Sequence, residues 1–203
     1  MAPQTKLTWF QKIENMHPYQ TLVYLGMFGS GLIFLFMMLA FFVSRPDAGI
    51  LNHYSIPDAF IASTFTIILS GFYVSRLIPH YQGDNTEGLK NALWTTFLLG
   101  IVFTALQFLG WKELQEMGVD FKGYPAGSFI YVLSGIHIFH LLGAMIFALF
   151  LLTDLKKTEG DEIKHLYLLV NPYEKMRLKL FATYWYYMDA IWGILFLIFL
   201  LAL

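Results

Sequence analysis

Two histidines in the middle of an uncharged stretch are the first residues here that invite a chemical reading. Gly127 to Leu152, GSFIYVLSGIHIFHLLGAMIFALFLL, contains no Asp, Glu, Lys or Arg. It is long enough to cross a bilayer as a helix. His137 and His140 stand at i and i+3 and share one helix face, with Gly135 and Gly143 close to the same stripe. Polar groups at that depth are costly, so this face is expected to look inward, toward protein. An imidazole placed there could ligate a metal or haem, relay a proton, or hydrogen-bond between helices.

Ligation is the weakest of the three. A bis-histidine haem site needs a second histidine at matching depth on another span, and His17, His53, His80 and His165 all fall at span ends or in connections. A di-iron site would want Glu together with Glu-x-x-His pairs on facing helices, and no Glu lies inside any span. The expectation is therefore no metal, no cofactor and no redox centre in this chain. The last apolar stretch adds Tyr184-Trp185-Tyr186-Tyr187-Met188-Asp189-Ala190-Ile191-Trp192, in which Asp189 shares a face with Trp185 and Trp192 and lies within reach of Tyr186. An ionised carboxylate there must find a donor, and a His–Asp contact between the last two spans is geometrically allowed. Such a pair reads either as a proton-relay element or as interhelical hydrogen bonding, and the second is the expectation.

Other polar residues inside the spans carry less. Gln107 could bond across helices or cap local backbone, while Ser63, Thr64, Thr66 and Ser70 are expected to bond their own helix or a neighbour. No Ser-His-Asp order, Gly-rich phosphate loop or Glu-bearing zinc motif is present, so no catalytic residue is expected. The lack of cysteine excludes disulfides, thiolate metal sites and a cysteine nucleophile.

The elements that must position these residues follow from hydropathy. The chain has 203 residues, 57% hydrophobic and only 13% charged, far more apolar than an ordinary soluble domain. A net charge of -1 offers nothing to nucleic acid. Five spans are expected, at about 20–43, 57–78, 89–111, 127–152 and 180–203, making one integral-membrane, all-α helix bundle over 1–203. The first lacks a signal-peptide cleavage pattern and is expected to stay. The second opens at Pro57 and is expected to stop before Pro79, and Asp84 with Glu87 has capping-box-like spacing for the third. The connection Asp154 to Lys179 reads as a basic surface loop with one interfacial element, Leu166 to Val170, stopped by Asn171-Pro172. Lys6, Lys12, Arg76, Lys90, Lys156, Lys157, Lys164, Lys175, Arg177 and Lys179 would share one side, against Arg45, Lys112 and Lys122 on the other. That asymmetry puts the N-terminus inside and the C-terminus outside.

The run Gly127-Ser128-Phe129, then Ser134-Gly135-Ile136-His137-Ile138-Phe139-His140 and Gly143, resembles the GS-x-F…TGFHGLHV-x-x-G signature of subunit III of haem–copper respiratory oxidases. Tyr184-Trp185 with Asp189 and Trp192 is similar to the family's closing YWHFVD-x-x-W, and Gln107 with Trp111 to its Q-x-x-EW. The likeness runs in order from about Pro57 to the C-terminus. It implies a short, five-helix bacterial form of subunit III in the cytoplasmic (inner) membrane, lacking the first two of seven helices. Such a subunit holds no redox centre of its own. It packs beside subunit I, with subunit II in the same complex, binds phospholipid between its helices and helps sustain oxygen and proton delivery, while haem and copper belong to the partners.

The chain also departs from the pattern. Gly110 stands where the family has Glu in Q-x-x-EW, Tyr186 where it has His in YWHF, and Ile138 where it has Gly. The intramembrane Glu of the first span aligns with Phe34, so no proton-handling role of that Glu is carried over. A cytochrome c oxidase is the expectation on the family's base rate, with a quinol oxidase as the alternative. An autonomous proton-coupled transporter would use His137, His140 and Asp189, but the paired repeats and broken helices of transporters are not evident.

Overall fold

The structure, a computed structural model, describes residues 16–44, 55–123, 125–158 and 160–202. Lys6, Lys12, Arg45 and His53, used above for orientation and for the histidine inventory, lie outside the described residues. Six helices follow in order: α1 (Pro18–Val43), α2 (Asp58–Gln82), α3 (Thr86–Glu116), α4 (Pro125–Thr158), α5 (Glu162–Val170) and α6 (Pro172–Ala202). All but α5 are long and apolar enough to cross a membrane. Hydrocarbon offers the backbone no hydrogen-bond partner, so an apolar run of this length closes its peptide groups within a helix.

Local chemistry sets the ends. The His17 side chain accepts from the Tyr19 N–H (3.3 Å) while the Gln20 side chain accepts from the His17 N–H (3.2 Å), and Pro18 fills the first helical position. Pro79 does not stop α2, contrary to the sequence expectation. The helix runs one further turn, because Pro79 forfeits only its own N–H and the Gly83 N–H returns to the Pro79 carbonyl at 2.9 Å. The cap of α3 is also displaced by one residue. Asn85, not Asp84, accepts from the Gly88 N–H at 2.7 Å, while Asp84 takes up the left-handed turn with φ +54°.

The connection from Asp154 to Lys179 is mostly helix rather than loop. α4 continues to Thr158 and α6 starts at Pro172, with α5 between them. Charged side chains at these ends do not interrupt a helix once it has left the hydrocarbon, and they pair along it. Lys157 meets Asp154 at 3.1 Å and Arg177 meets Glu174 at 3.0 Å and Asp154 at 2.9 Å. α3 likewise overruns Trp111 to reach Glu116, with Lys112 and Glu116 at i,i+4.

α2 and α3 form the most extensively packed pair, joined by a short turn, and α6 lies against α2 and α4. α4 closes the group against α3, and α1 stands at the periphery touching α4 and α6. The core is aromatic: Trp192 meets Phe103 edge to face at 5.0 Å and Phe60 at 5.8 Å, and the buried Trp185 and Phe181 pack on each other at 5.5 Å.

Candidate functional site

Hydroxyl groups on the helices act as two-way couplers. Ser70 donates to the Ile67 carbonyl of its own helix at 2.7 Å and accepts the Trp185 indole N–H at 2.9 Å. Thr64 donates to the Phe60 carbonyl at 2.8 Å and accepts from the Trp192 indole at 3.0 Å. Ser63 donates to the same carbonyl at 2.8 Å and accepts from the Gln107 amide at 2.7 Å. Ser134 repeats the pattern between α3 and α4, donating to Ile130 at 2.6 Å and accepting from Trp111 at 2.9 Å. Each hydroxyl spends its proton locally and offers a lone pair across the helix interface, so no donor is left bare in an apolar environment. Thr66 bonds only its own helix, to Ala62 at 2.9 Å.

His137 sits at the centre of this frame and is fully buried. Its ring is enclosed by Phe103 at 5.5 Å, Trp192 at 5.4 Å and Phe34 at 6.4 Å, and neither ring nitrogen has a hydrogen-bond partner. Phe34, on α1, also lies 5.6 Å from the His140 ring. Phe34 thus occupies the space beside both histidines. His140 turns away, with Nδ1 on the Ile136 carbonyl at 2.8 Å, and its own carbonyl accepts from the Tyr184 hydroxyl at 3.2 Å.

Asp189 does not join the histidines. Its Oδ1 has no partner and its Oδ2 rests on Gly71 of α2, so the allowed His–Asp contact is not formed. The reason is angular: Trp185, Met188 and Trp192 fill the face of α6 that looks into the bundle, which leaves Asp189 on the edge shared with α2. Gln107 has the complementary defect, since its amide N–H is bonded while Oε1 is buried without a donor.

Gly110 has a spatial explanation. A Cβ at this position would overlap the Phe60 ring, so the aromatic side chain from α2 fills the volume that a Glu would occupy. Ser134 stood in the resembling motif without a bonding role, and Tyr131 was missed; Tyr131 donates to the Val119 carbonyl at 2.6 Å and ties the start of α4 to the turn after α3. A hydroxyl one turn from a tryptophan-facing stripe was the available signal. Between α1, α4 and α6 an open cleft of about 420 Å³ is walled by Leu22, Gly26, Gly143 and Phe147, with His140 and Tyr184 at its lining. Among the described residues, no three His, Asp or Glu side chains gather as a metal-binding group.

Fold and site together define a multi-pass, all-helical membrane protein whose helices are coupled by side-chain hydrogen bonds. No family model matches the chain. It is similar to the probable cytochrome c oxidase subunit 3 of Mycobacterium tuberculosis, 28% identical over 194 residues that cover 90% of this chain and 86% of that protein. The cytochrome c oxidase subunit 3 of Corynebacterium diphtheriae is 27% identical with the same shares covered. That of the lamprey Petromyzon marinus is 29% identical over 75% of this chain and 53% of its own length. The motifs that resemble subunit III therefore belong to a likeness that extends over most of the chain, in bacteria and in lamprey.

Proposed function

We propose that this chain is subunit III of a haem–copper terminal oxidase, most directly a cytochrome c oxidase, and that it supports oxygen reduction without a redox centre of its own. It lies beside subunits I and II in a bacterial cytoplasmic membrane, N-terminus inside and C-terminus outside. There it stabilises subunit I, holds phospholipid and assists oxygen and proton delivery to its neighbour. The observation that carries this reading is the meeting of the three resembling motifs: Trp192 packs on His137, Trp111 is bonded to Ser134, and Gln107 lies on the same side of α3 one turn from Trp111. Residues far apart in sequence form one structural unit, as a preserved frame requires.

The cleft between α1, α4 and α6 is the place for a phospholipid acyl chain. Its walls are apolar, and a side chain added at Gly26 or Gly143 would meet nothing within 4 Å, so the space is open at both. Removing this subunit from the oxidase should leave the haem spectra unchanged while shortening the working life of the enzyme under turnover. A haem signal lost with this chain alone would overturn the reading. Gly143→Leu should displace co-purifying phospholipid, measured by mass spectrometry of the extracted complex, without loss of the helix bundle; unchanged lipid stoichiometry would remove the cleft from the account.

A further inference from the structure

Asp189 is a carboxyl group whose needs the bundle does not meet. It lies near the middle of α6 and faces Gly71, near the middle of α2, and a Cβ at Gly71 would stand 2.8 Å from its Oδ2. Oδ1 is enclosed by this chain without a donor, so Oδ2 is the oxygen that a donor from outside can reach. Nearby donors are committed elsewhere: the Tyr186 hydroxyl is directed at the Gly71 carbonyl at 3.4 Å, and Ser75 donates to the Phe72 carbonyl at 2.6 Å. No Lys, Arg or His forms an ion pair with Asp189 among the described residues.

The surface outside this seam is shaped for close approach. Ala190 is exposed, and a side chain built at Gly193 would meet nothing within 4 Å. Ile68, one turn before Gly71 on α2, and Ile194 and Leu197 on α6 are exposed. Small residues between apolar ridges allow two helix backbones to come together in a membrane. Lipid tails can cover the ridges but have nothing to donate to a carboxylate at that depth.

We propose that the outer edge of the α2–α6 seam, centred on Asp189, receives a transmembrane helix of another subunit that presents a cationic donor, an Arg or Lys side chain, to this carboxylate. The inference rests on the proposed membership in a multi-subunit complex and names the face used. Charge complementarity selects this occupant, since a second copy of the same face would bring two carboxylates together.

The chain has no cysteine, so Ala190→Cys gives it a single attachment point for a benzophenone photo-crosslinker. In the intact extracted complex, irradiation should join this position to a partner polypeptide at a membrane-spanning segment, while the same probe at Phe139→Cys, exposed on α4, gives a comparison at a second lipid-level position. Adducts with lipid alone at 190, in a preparation that still holds the partner subunits, would overturn the proposal and leave the oxidase reading standing. A chain that extracts alone would instead remove that reading. Gly193→Leu, placed in open space, should lower retention of the chain in the complex about tenfold, and Asp189→Leu should do the same where Asp189→Asn, which still accepts a hydrogen bond, does less. Unchanged retention in Gly193→Leu overturns the docking face independently of any folding effect at Asp189.

Discussion

His137 is a buried polar side chain held by ring contacts alone. An imidazole without partners in an apolar box costs stability relative to a ring of similar shape, by about 1–3 kcal/mol. His137→Phe should therefore leave thermal stability in detergent unchanged or raise it, whereas a loss beyond about 3 kcal/mol would mean that the nitrogens are bonded to something. The opposite holds for the indoles. Trp185→Phe breaks the bond to Ser70, and a double-mutant cycle with Ser70→Ala should give a coupling of about 0.6–1.7 kcal/mol, the range for interhelical hydrogen bonds in membranes. A coupling of zero would reduce the pair to packing. At this scale the sequence was partly legible. His137, Trp185, Trp192, Gln107 and Trp111 stand out by residue type and spacing, and Ser63, Thr64 and Ser70 are expected to bond their own helix or a neighbour, but which of them meets which side chain depends on the relative height of two helices. The neighbour of Asp189 was unreadable for the same reason: the spacing along α6 fixes its own face, and only packing decides that α2 rather than α4 lies against it.

Among the elements, α5 shows how a connection is held to the bundle end. Leu168 is buried, and the Tyr81 hydroxyl at the end of α2 donates to the Leu168 carbonyl at 2.8 Å and the Leu169 carbonyl at 3.2 Å. Tyr81→Phe removes this anchor and should raise amide hydrogen exchange in α5 while α2 stays protected; equal protection in both would show that apolar burial alone holds α5. At its start Asp161 caps the helix, accepting from the Ile163 and Lys164 N–H groups at 3.1 Å. The bond from the Lys164 side chain, with those backbone bonds, holds the Asp161 carboxyl below its ordinary range. A depressed carboxyl lends its stabilisation above the unfolded value and loses it as pH falls through the folded one. α5 should accordingly keep its helical exchange pattern at neutral pH and fray only in acid, and fraying that begins near pH 7 would contradict the cap. Five long helices were legible because twenty apolar residues in hydrocarbon have one way to close their backbone. Their ends were not: Pro79 and the charged residues after Trp111 and Leu152 look like stops, yet a helix that has crossed the hydrocarbon continues until a cap or a turn ends it.

For the whole molecule, the arrangement is a helix bundle suited to the proposed support role. Its polar groups are coupled helix to helix, and its apolar perimeter is wide: Leu25, Phe28, Phe36 and Leu39 on α1 are all exposed, as are Phe65 and Ile68 on α2. A bundle of this kind is completed by lipid and by neighbouring helices. That much is legible in a sequence this apolar, whereas the docking face proposed here becomes visible only once Asp189 is seen on the perimeter with no donor. The most direct test of the central claim is gentle detergent extraction of the tagged chain, followed by a reduced-minus-oxidised spectrum and mass identification of what accompanies it. Larger haem- and copper-bearing partners should accompany this chain in fixed ratio. A colourless, solitary protein would contradict it.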